Sequence, residues 1–128
     1  MKELQLIIKQ KYYDEILAGT KNKEYREIRP TTAKKYIKYI CDGKEYHNPD
    51  DLPEEVDVEI APIHYDAIRF FVGYSKDRAS ALVEVKGATV EFFVDENGEE
   101  IVYEYNGEEY VAAQIVYDLG RVIEKKNV

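Results

Sequence analysis

Residues Gly19–Arg26 read GTKNKEYR, and the predicted fold is organised around this stretch. It follows an apolar run and a short helical segment, and a glycine just past a helix end commonly adopts a left-handed backbone. A turn here places Lys21 just before a strand. On that strand Glu24 and Arg26 are two residues apart, so their side chains point to the same face. Tyr25 points away and is predicted to pack in the core. An acid and a base on one strand face, beside a lysine, predict a site for a polar ligand.

The N-terminal part of the chain predicts alternating strands and helices. Leu4–Lys9 is short and rich in branched apolar residues, which indicates a buried strand. Tyr12–Ala18 has the i, i+1, i+4, i+5 apolar spacing of a one-sided helix. Lys23–Ile28 is predicted as the second strand. Ala33–Cys41 is predicted as a second helix, because its apolar residues fall on one side and its lysines on the other.

The rest of the chain predicts a loop followed by strands. Residues 42–66 are acidic and interrupted by prolines, which is typical of a long loop. Gly87 and Gly120 are interpreted as bends or breaks between strands. Asn-Gly pairs at 97–98 and 106–107 indicate turns of hairpins. The predicted strands are Ala67–Tyr74, Ser80–Lys86, Ala88–Val94, Ile101–Tyr105, Tyr110–Tyr117 and Arg121–Glu124. Short strands after two helices predict an α+β fold built on a small mixed β-barrel.

The motif Gly19-x-Lys21-x-x-Glu24-x-Arg26 after the first helix resembles the hallmark of the ASCH domain, a member of the PUA-like superfamily. All four fixed positions of that pattern match. Residues 81–85 and 118–122 also resemble later strands of the family, so the resemblance touches most of the chain. It implies a single domain over residues 1–128 with a PUA-like (ASCH) β-barrel, two N-terminal helices and insertions at 42–66 and 95–110.

The resemblance also implies a cleft beside the motif that binds RNA or a nucleotide. The planar guanidinium of Arg26 can bind a phosphate or a base carbonyl through two N–H groups, and the Lys21 ammonium can bind the same groups as a point charge. The Glu24 carboxylate can accept a hydrogen bond from an exocyclic amine of a base. The alternative is that Glu24 and Arg26 only form a structural ion pair, which contributes little when exposed. Lys9 and Arg78 are further candidates for lining the cleft, with solvated side chains as the alternative.

Two other functions stay open. One small bacterial branch of the family resembles an amidohydrolase acting on N4-acetylcytidine, whose proposed nucleophile is a threonine two residues before the arginine. Glu24 occupies that position here, so the mechanism does not transfer as it stands, and an enzyme would rely on Lys21 and Glu24 as acid and base. The other function is a protein-interaction module in the acidic C-terminal half, which an exposed apolar strand edge around Tyr103–Tyr105 would favour.

Charge is distributed unevenly along the 128 residues. The formal net charge is −8, which argues against broad, non-specific binding of nucleic acid. Residues 1–46 hold 11 basic and 7 acidic residues, whereas 47–128 hold 7 and 19. An anion site is therefore expected in the first third of the chain.

Composition and residue spacing limit the cellular compartment and the kinds of site that are expected. The single cysteine, Cys41, has no partner for an internal disulfide, so a reducing cytoplasm is expected. No apolar run approaches the ~20 residues of a membrane span, and no signal segment is evident. His47, Asp50 and Asp51 lack zinc-site spacing, and His64 is expected to be a hydrogen-bonded structural residue. Neither a metal nor a cofactor is predicted.

Overall fold

The structure, a computed structural model, describes residues Met1–Asn127. These residues form ten strands, two α-helices and one short 3-10 helix (Pro49–Asp51). The elements are, in chain order, β1 (Glu3–Ile8), α1 (Gln10–Ala18), β2 (Lys23–Ile28), α2 (Ala33–Tyr36), β3 (Ile37–Cys41), β4 (Lys44–Tyr46), β5 (Glu59–Pro62), β6 (Ala67–Val72), β7 (Ser80–Phe92), β8 (Val102–Tyr105), β9 (Glu108–Val111) and β10 (Ala113–Lys126). None of the helices in this described part is long and apolar enough to cross a membrane.

The chain divides into two compact units. Unit 1 comprises Met1–Glu24, His64–Ala88 and the residues from Tyr117 onwards. Its strands β1 and β6 run parallel, from the pair Glu3 and Ala67 to the pair Ile8 and Val72, and β7 pairs antiparallel with β6. Strands β1 and β6 and helix α1 each bury one side in the core. Apolar side chains repeat about every second residue along the strands and about every 3.6 residues along the helix, so they collect on that side. The buried residues of these three elements include Leu4, Leu6, Ile8, Tyr13, Ile16, Ile68 and Phe70.

The end of α1 follows the prediction for Gly19. This glycine has φ of 79°, and its N–H donates to the carbonyl of Ile16 at 3.1 Å. The N–H of Thr20 donates to the carbonyl of Glu15 at 3.0 Å. Glycine adopts this left-handed conformation without the steric cost of a Cβ, so it ends the helix and directs the chain into β2.

Unit 2 comprises Tyr25–Ile63 and Thr89–Val116. It contains a three-stranded sheet in the order β4-β3-β5 and a hairpin of β8 and β9. The hairpin turn at Asn106-Gly107 has positive φ at both residues, 50° and 79°, as its Asn-Gly sequence predicts. The turn at Asn97-Gly98 is confirmed as well, because Val94 and Glu100 form an antiparallel bridge across it.

The prediction of a small mixed β-barrel with two N-terminal helices is wrong. Strands account for 53% of the chain, and no sheet closes on itself in the part that the structure describes. The largest sheet is open, in the order β1-β6-β7-β10-β2, with β1 and β2 as its edges. Strands β3, β4 and β5 form a separate three-stranded sheet. Helix α2 is only four residues long. The fold is therefore mostly β.

The predicted helix Ala33–Cys41 is wrong after its first turn. Helix α2 ends at Tyr36, and Ile37–Cys41 is strand β3, which pairs antiparallel with β4 and β5. Asp42 and Gly43 have φ of 51° and 76° and connect β3 to β4 as a two-residue hairpin turn. A β-branched segment beside an Asp-Gly turn gains more from pairing on both sides than from continuing a short helix.

Three smaller predictions are also corrected. Residues 42–66 contain β4, the 3-10 helix and β5, so they are not one long loop. Gly87 and Gly120 break no strand, because β7 and β10 run through them. Tyr25 is 51% exposed, so it is not a core residue.

Candidate functional site

Lys21 and Glu24 form the centre of the candidate site. The backbone N–H of Lys21 continues the helix cap by donating to the carbonyl of Glu15 at 3.1 Å. Its ammonium donates to the carbonyl of Lys23 at 2.7 Å and lies 3.7 Å from Oε1 of Glu24. The side chains of Lys21 and Glu24 are only 17% and 8% exposed. A charge pair held this far from water is electrostatically stronger than one at the surface.

Tyr12 belongs to the same cluster, although its residue pattern placed it on the apolar side of the helix. The Lys21 ammonium lies 5.4 Å from the centre of the Tyr12 ring, and the Lys11 ammonium lies 5.7 Å from it. Tyr12 is 41% exposed, whereas Tyr13 and Ile16 face the core. Tyr12 lies four residues before the buried Ile16, which is only about 40° around the helix, so the apolar spacing alone did not distinguish it from the buried residues.

Lys9 and Lys21 are not brought together. Lys9 is the exposed N-cap of α1, and Lys21 follows its C-terminal end. Nine helical residues separate these ends by roughly 13 Å, at 1.5 Å per residue. Arg78 lies near the Lys9 end, since its guanidinium donates to the carbonyl of Gly73, the residue after the β6 position that pairs with Ile8.

The Arg78 side chain supports a turn in unit 1. Its guanidinium carbon lies 4.0 Å from the centre of the Phe71 ring, and its Nη1 donates to the Gly73 carbonyl at 3.1 Å. A stacked guanidinium that also binds a backbone carbonyl is preorganised by these contacts. Arg78 therefore holds the connection between β6 and β7.

Arg26 and Glu24 occupy alternate positions of β2, as their spacing predicts. Glu24 and Ile28 are buried, Arg26 is half-buried, and Lys23, Tyr25 and Glu27 are exposed. Glu24 belongs to unit 1 and Arg26 to unit 2. A ligand-binding role for Arg26 stays a prediction.

A separate cavity of about 500 Å³ lies in unit 2. It is lined mainly by apolar and aromatic side chains, including Tyr39, Phe92, Tyr103 and Tyr110. Burial raises the pKa of Tyr39, and the hydrogen bond to Glu108 raises the pKa of Tyr110. None of the five predicted ligand residues lines this cavity, so residue patterns around the motif did not reveal it.

The thiol and imidazole groups belong to no metal-binding cluster within residues 1–127. Cys41 is buried and free, and His64 lies 3.1 Å from a carboxylate oxygen of Asp66. His47 lines the cavity of unit 2. No group of three or more His, Cys, Asp or Glu side chains in this part of the chain is placed to hold a metal ion.

Comparisons with protein-family models, with curated proteins and with solved structures found no match for this chain.

Proposed function

We propose that this chain is an RNA- or nucleotide-binding module of the ASCH type, with its ligand site at Lys21. The observation that carries the proposal is that the Lys21 ammonium lies 3.7 Å from the Glu24 carboxylate and 5.4 Å from the centre of the Tyr12 ring. Cations interleaved with an exposed aromatic ring are the usual elements of a site for single-stranded nucleic acid.

Each member of the cluster has a distinct part in such a site. Lys21 and Lys11 supply positive charge for a phosphate, and the partly exposed ring of Tyr12 supplies a group on which a base stacks. Glu24 accepts from an exocyclic amine of the base. Because Glu24 and Lys21 are both largely buried, the pair restrains the lysine at the edge of the site.

The charge of unit 1 supports this location. Its segments contain 12 basic and 9 acidic residues, whereas unit 2 contains 6 and 17. The excess of basic residues therefore lies in the unit that holds Lys21. A phosphate-bearing ligand is attracted to this unit, and the attraction weakens as salt increases.

A ligand screen tests the proposal. The melting temperature of the full chain is measured at low salt with CMP, AMP, N4-acetylcytidine and a short single-stranded RNA. A ligand that binds only the folded state raises stability by about 2.7 kcal/mol at 100 times its Kd. We expect a shift that Lys21→Ala and Tyr12→Ala each abolish.

Lys76→Ala is the matched control, because it removes the same charge from an exposed turn of unit 1. It is expected to keep the shift. Equal loss in Lys76→Ala and Lys21→Ala would show only a general charge effect, and the absence of a shift with every compound would contradict the proposal. Chromatography of each incubated ligand distinguishes binding from hydrolysis, since release of acetate from N4-acetylcytidine would establish an enzyme.

A further inference from the structure

We propose that the hairpin of β8 and β9, together with the cavity beside it, is a docking site for an extended cationic peptide segment of a partner protein. This surface lies in unit 2 and shares no residue with the proposed nucleotide site. The proposal rests on exposed apolar side chains, an unextended two-stranded sheet, a cavity and a strong negative charge.

Apolar side chains around the hairpin are exposed to an unusual degree. We define the hairpin face as the exposed apolar residues of the hairpin and of the segments next to it, on both sides of the extended backbone. They are Phe92, Phe93, Val94, Ile101, Val102 and Tyr105, whose exposed fractions range from 37% to 54%. Backbone hydrogen bonds link Phe93 to Ile101 and to Ala112, so these side chains belong to one local structure. Clustered exposed apolar groups of this size typically mark an interaction site.

The backbone of the hairpin offers a place for a further strand. Val102–Tyr105 pairs with Glu108–Val111, and this sheet has only two strands in the part of the chain that the structure describes. An extended peptide adds to such an edge by main-chain hydrogen bonds, while alternate side chains enter adjoining pockets. Isolated two-stranded hairpins are marginally stable, so a third strand would also stabilise this one.

The cavity supplies an apolar pocket for such a side chain. Its volume is about 500 Å³, and the hairpin contributes Tyr103, Tyr110 and Val111 to its lining. The rings of Tyr103 and Tyr110 stack with centroids 5.9 Å apart and form an aromatic wall of the cavity. An aromatic or branched aliphatic side chain of the peptide is the group that fits these walls.

The negative charge around the hairpin determines which kind of partner can bind there. Residues 89–116 contain eight carboxylates and no lysine or arginine. Arg29, Lys34 and Glu109 line the cavity, and Arg29 is paired with Glu27 at 3.0 Å, so the negative charge belongs to the hairpin segment and not to the cavity. Phosphates of a nucleic acid would be repelled, and two copies of the hairpin face would repel each other. A segment with alternating basic and apolar residues satisfies both the negative charge and the apolar face.

Fluorescence anisotropy with labelled peptides tests the proposal on the full chain. The probe is a nine-residue peptide in which lysine alternates with valine and phenylalanine, and the reference peptide has glutamate in place of lysine. We expect binding of the lysine peptide only, with affinity that falls between 25 and 500 mM NaCl. Glu104→Lys with Glu109→Lys should weaken binding about tenfold or more, because it reverses charge on the hairpin itself.

Glu54→Lys with Glu55→Lys is the matched control, since it makes the same charge change at exposed residues of unit 2 outside the hairpin. It should weaken binding by less than about threefold, and Lys21→Ala should leave it unchanged. Val102→Ser should weaken binding without altering the charge. Equal effects of the two charge reversals, binding of the glutamate peptide, or binding of RNA at this hairpin would overturn the proposal. Light scattering that shows a dimer joined through the hairpin face would do so too.

Discussion

At the scale of single residues, Gly120 shows why a glycine inside a strand need not break it. A Cβ placed on Gly120 would lie 3.0 Å from Cδ and 3.1 Å from Cβ of Glu84, closer than side chains normally approach. At Gly87 the nearest atom would be 3.7 Å away, which is ordinary contact. Gly120 therefore accommodates a neighbouring side chain rather than a turn.

Gly120→Ala is expected to destabilise the protein by about 1–3 kcal/mol, because the added methyl group displaces Glu84 in a packed sheet. Gly87→Ala is the control and should change stability by less than about 0.5 kcal/mol. Urea unfolding measures both variants. Glu84→Ala should recover part of the loss in Gly120→Ala, and equal stability of the two alanine variants would contradict the crowding explanation.

At the scale of secondary-structure elements, Arg69 on β6 connects three strands of unit 1. Its Nε donates to Glu3 on β1 at 3.0 Å, and its Nη1 donates to Glu124 on β10 at 3.3 Å. The hydrogen bonds from Arg69 lower the pKa of Glu3. Hydrogen bonds from Arg69 and from Lys126 lower the pKa of Glu124. Because both pKa values fall on folding, the carboxylates stabilise the folded state above the ordinary pKa of 4.5.

This stabilisation should disappear as the pH falls below 4.5 and through the lowered pKa values. Glu3→Gln is therefore expected to be less stable than wild type at pH 7, by under about 1 kcal/mol for a partly exposed pair. The difference should vanish at pH 3. Glu96→Gln in an exposed turn is the control, and thermal unfolding at both pH values measures the effect. A difference that persists at pH 3 would show that Glu3 acts through packing.

At the scale of the whole molecule, the two compact units carry opposite net charge. The residues of unit 1 sum to +3 and those of unit 2 to −11, which together give the formal charge of −8. Like charges at this density oppose the folded state of unit 2 by mutual repulsion. The two proposed binding surfaces follow the same division, with an anionic ligand for unit 1 and a cationic partner for unit 2.

Raising NaCl from 10 to 300 mM is expected to increase the melting temperature, because the screening length falls from about 30 Å to under 10 Å. Glu99→Gln with Glu100→Gln removes two charges from the acidic segment and should reduce this salt dependence. Differential scanning calorimetry measures the effect. A melting temperature that does not change with salt, or an unchanged dependence in the double variant, would contradict a role for repulsion.

Local residue patterns predicted the elements whose signals are short-range. The strand Lys23–Ile28, the helix that ends at Gly19 and both Asn-Gly turns were found because the period of apolar residues and the conformation of glycine act within a few residues. The same patterns placed Lys21, Glu24 and Arg26 beside one another in the chain, and the contact of Lys21 with Glu24 follows from their spacing.

The sequence by itself therefore determined the turns, the first helix and most strands. Tertiary structure decided the rest. Ile37–Cys41 is a strand because β4 and β5 pair with it, and β10 continues through Gly120, where a Cβ would crowd Glu84. The open sheets, Tyr12 beside Lys21 and the cavity of unit 2 likewise depend on which distant segments meet. Pairing and packing between distant residues override local propensity, since a strand is stabilised by its neighbours more than by its own residues.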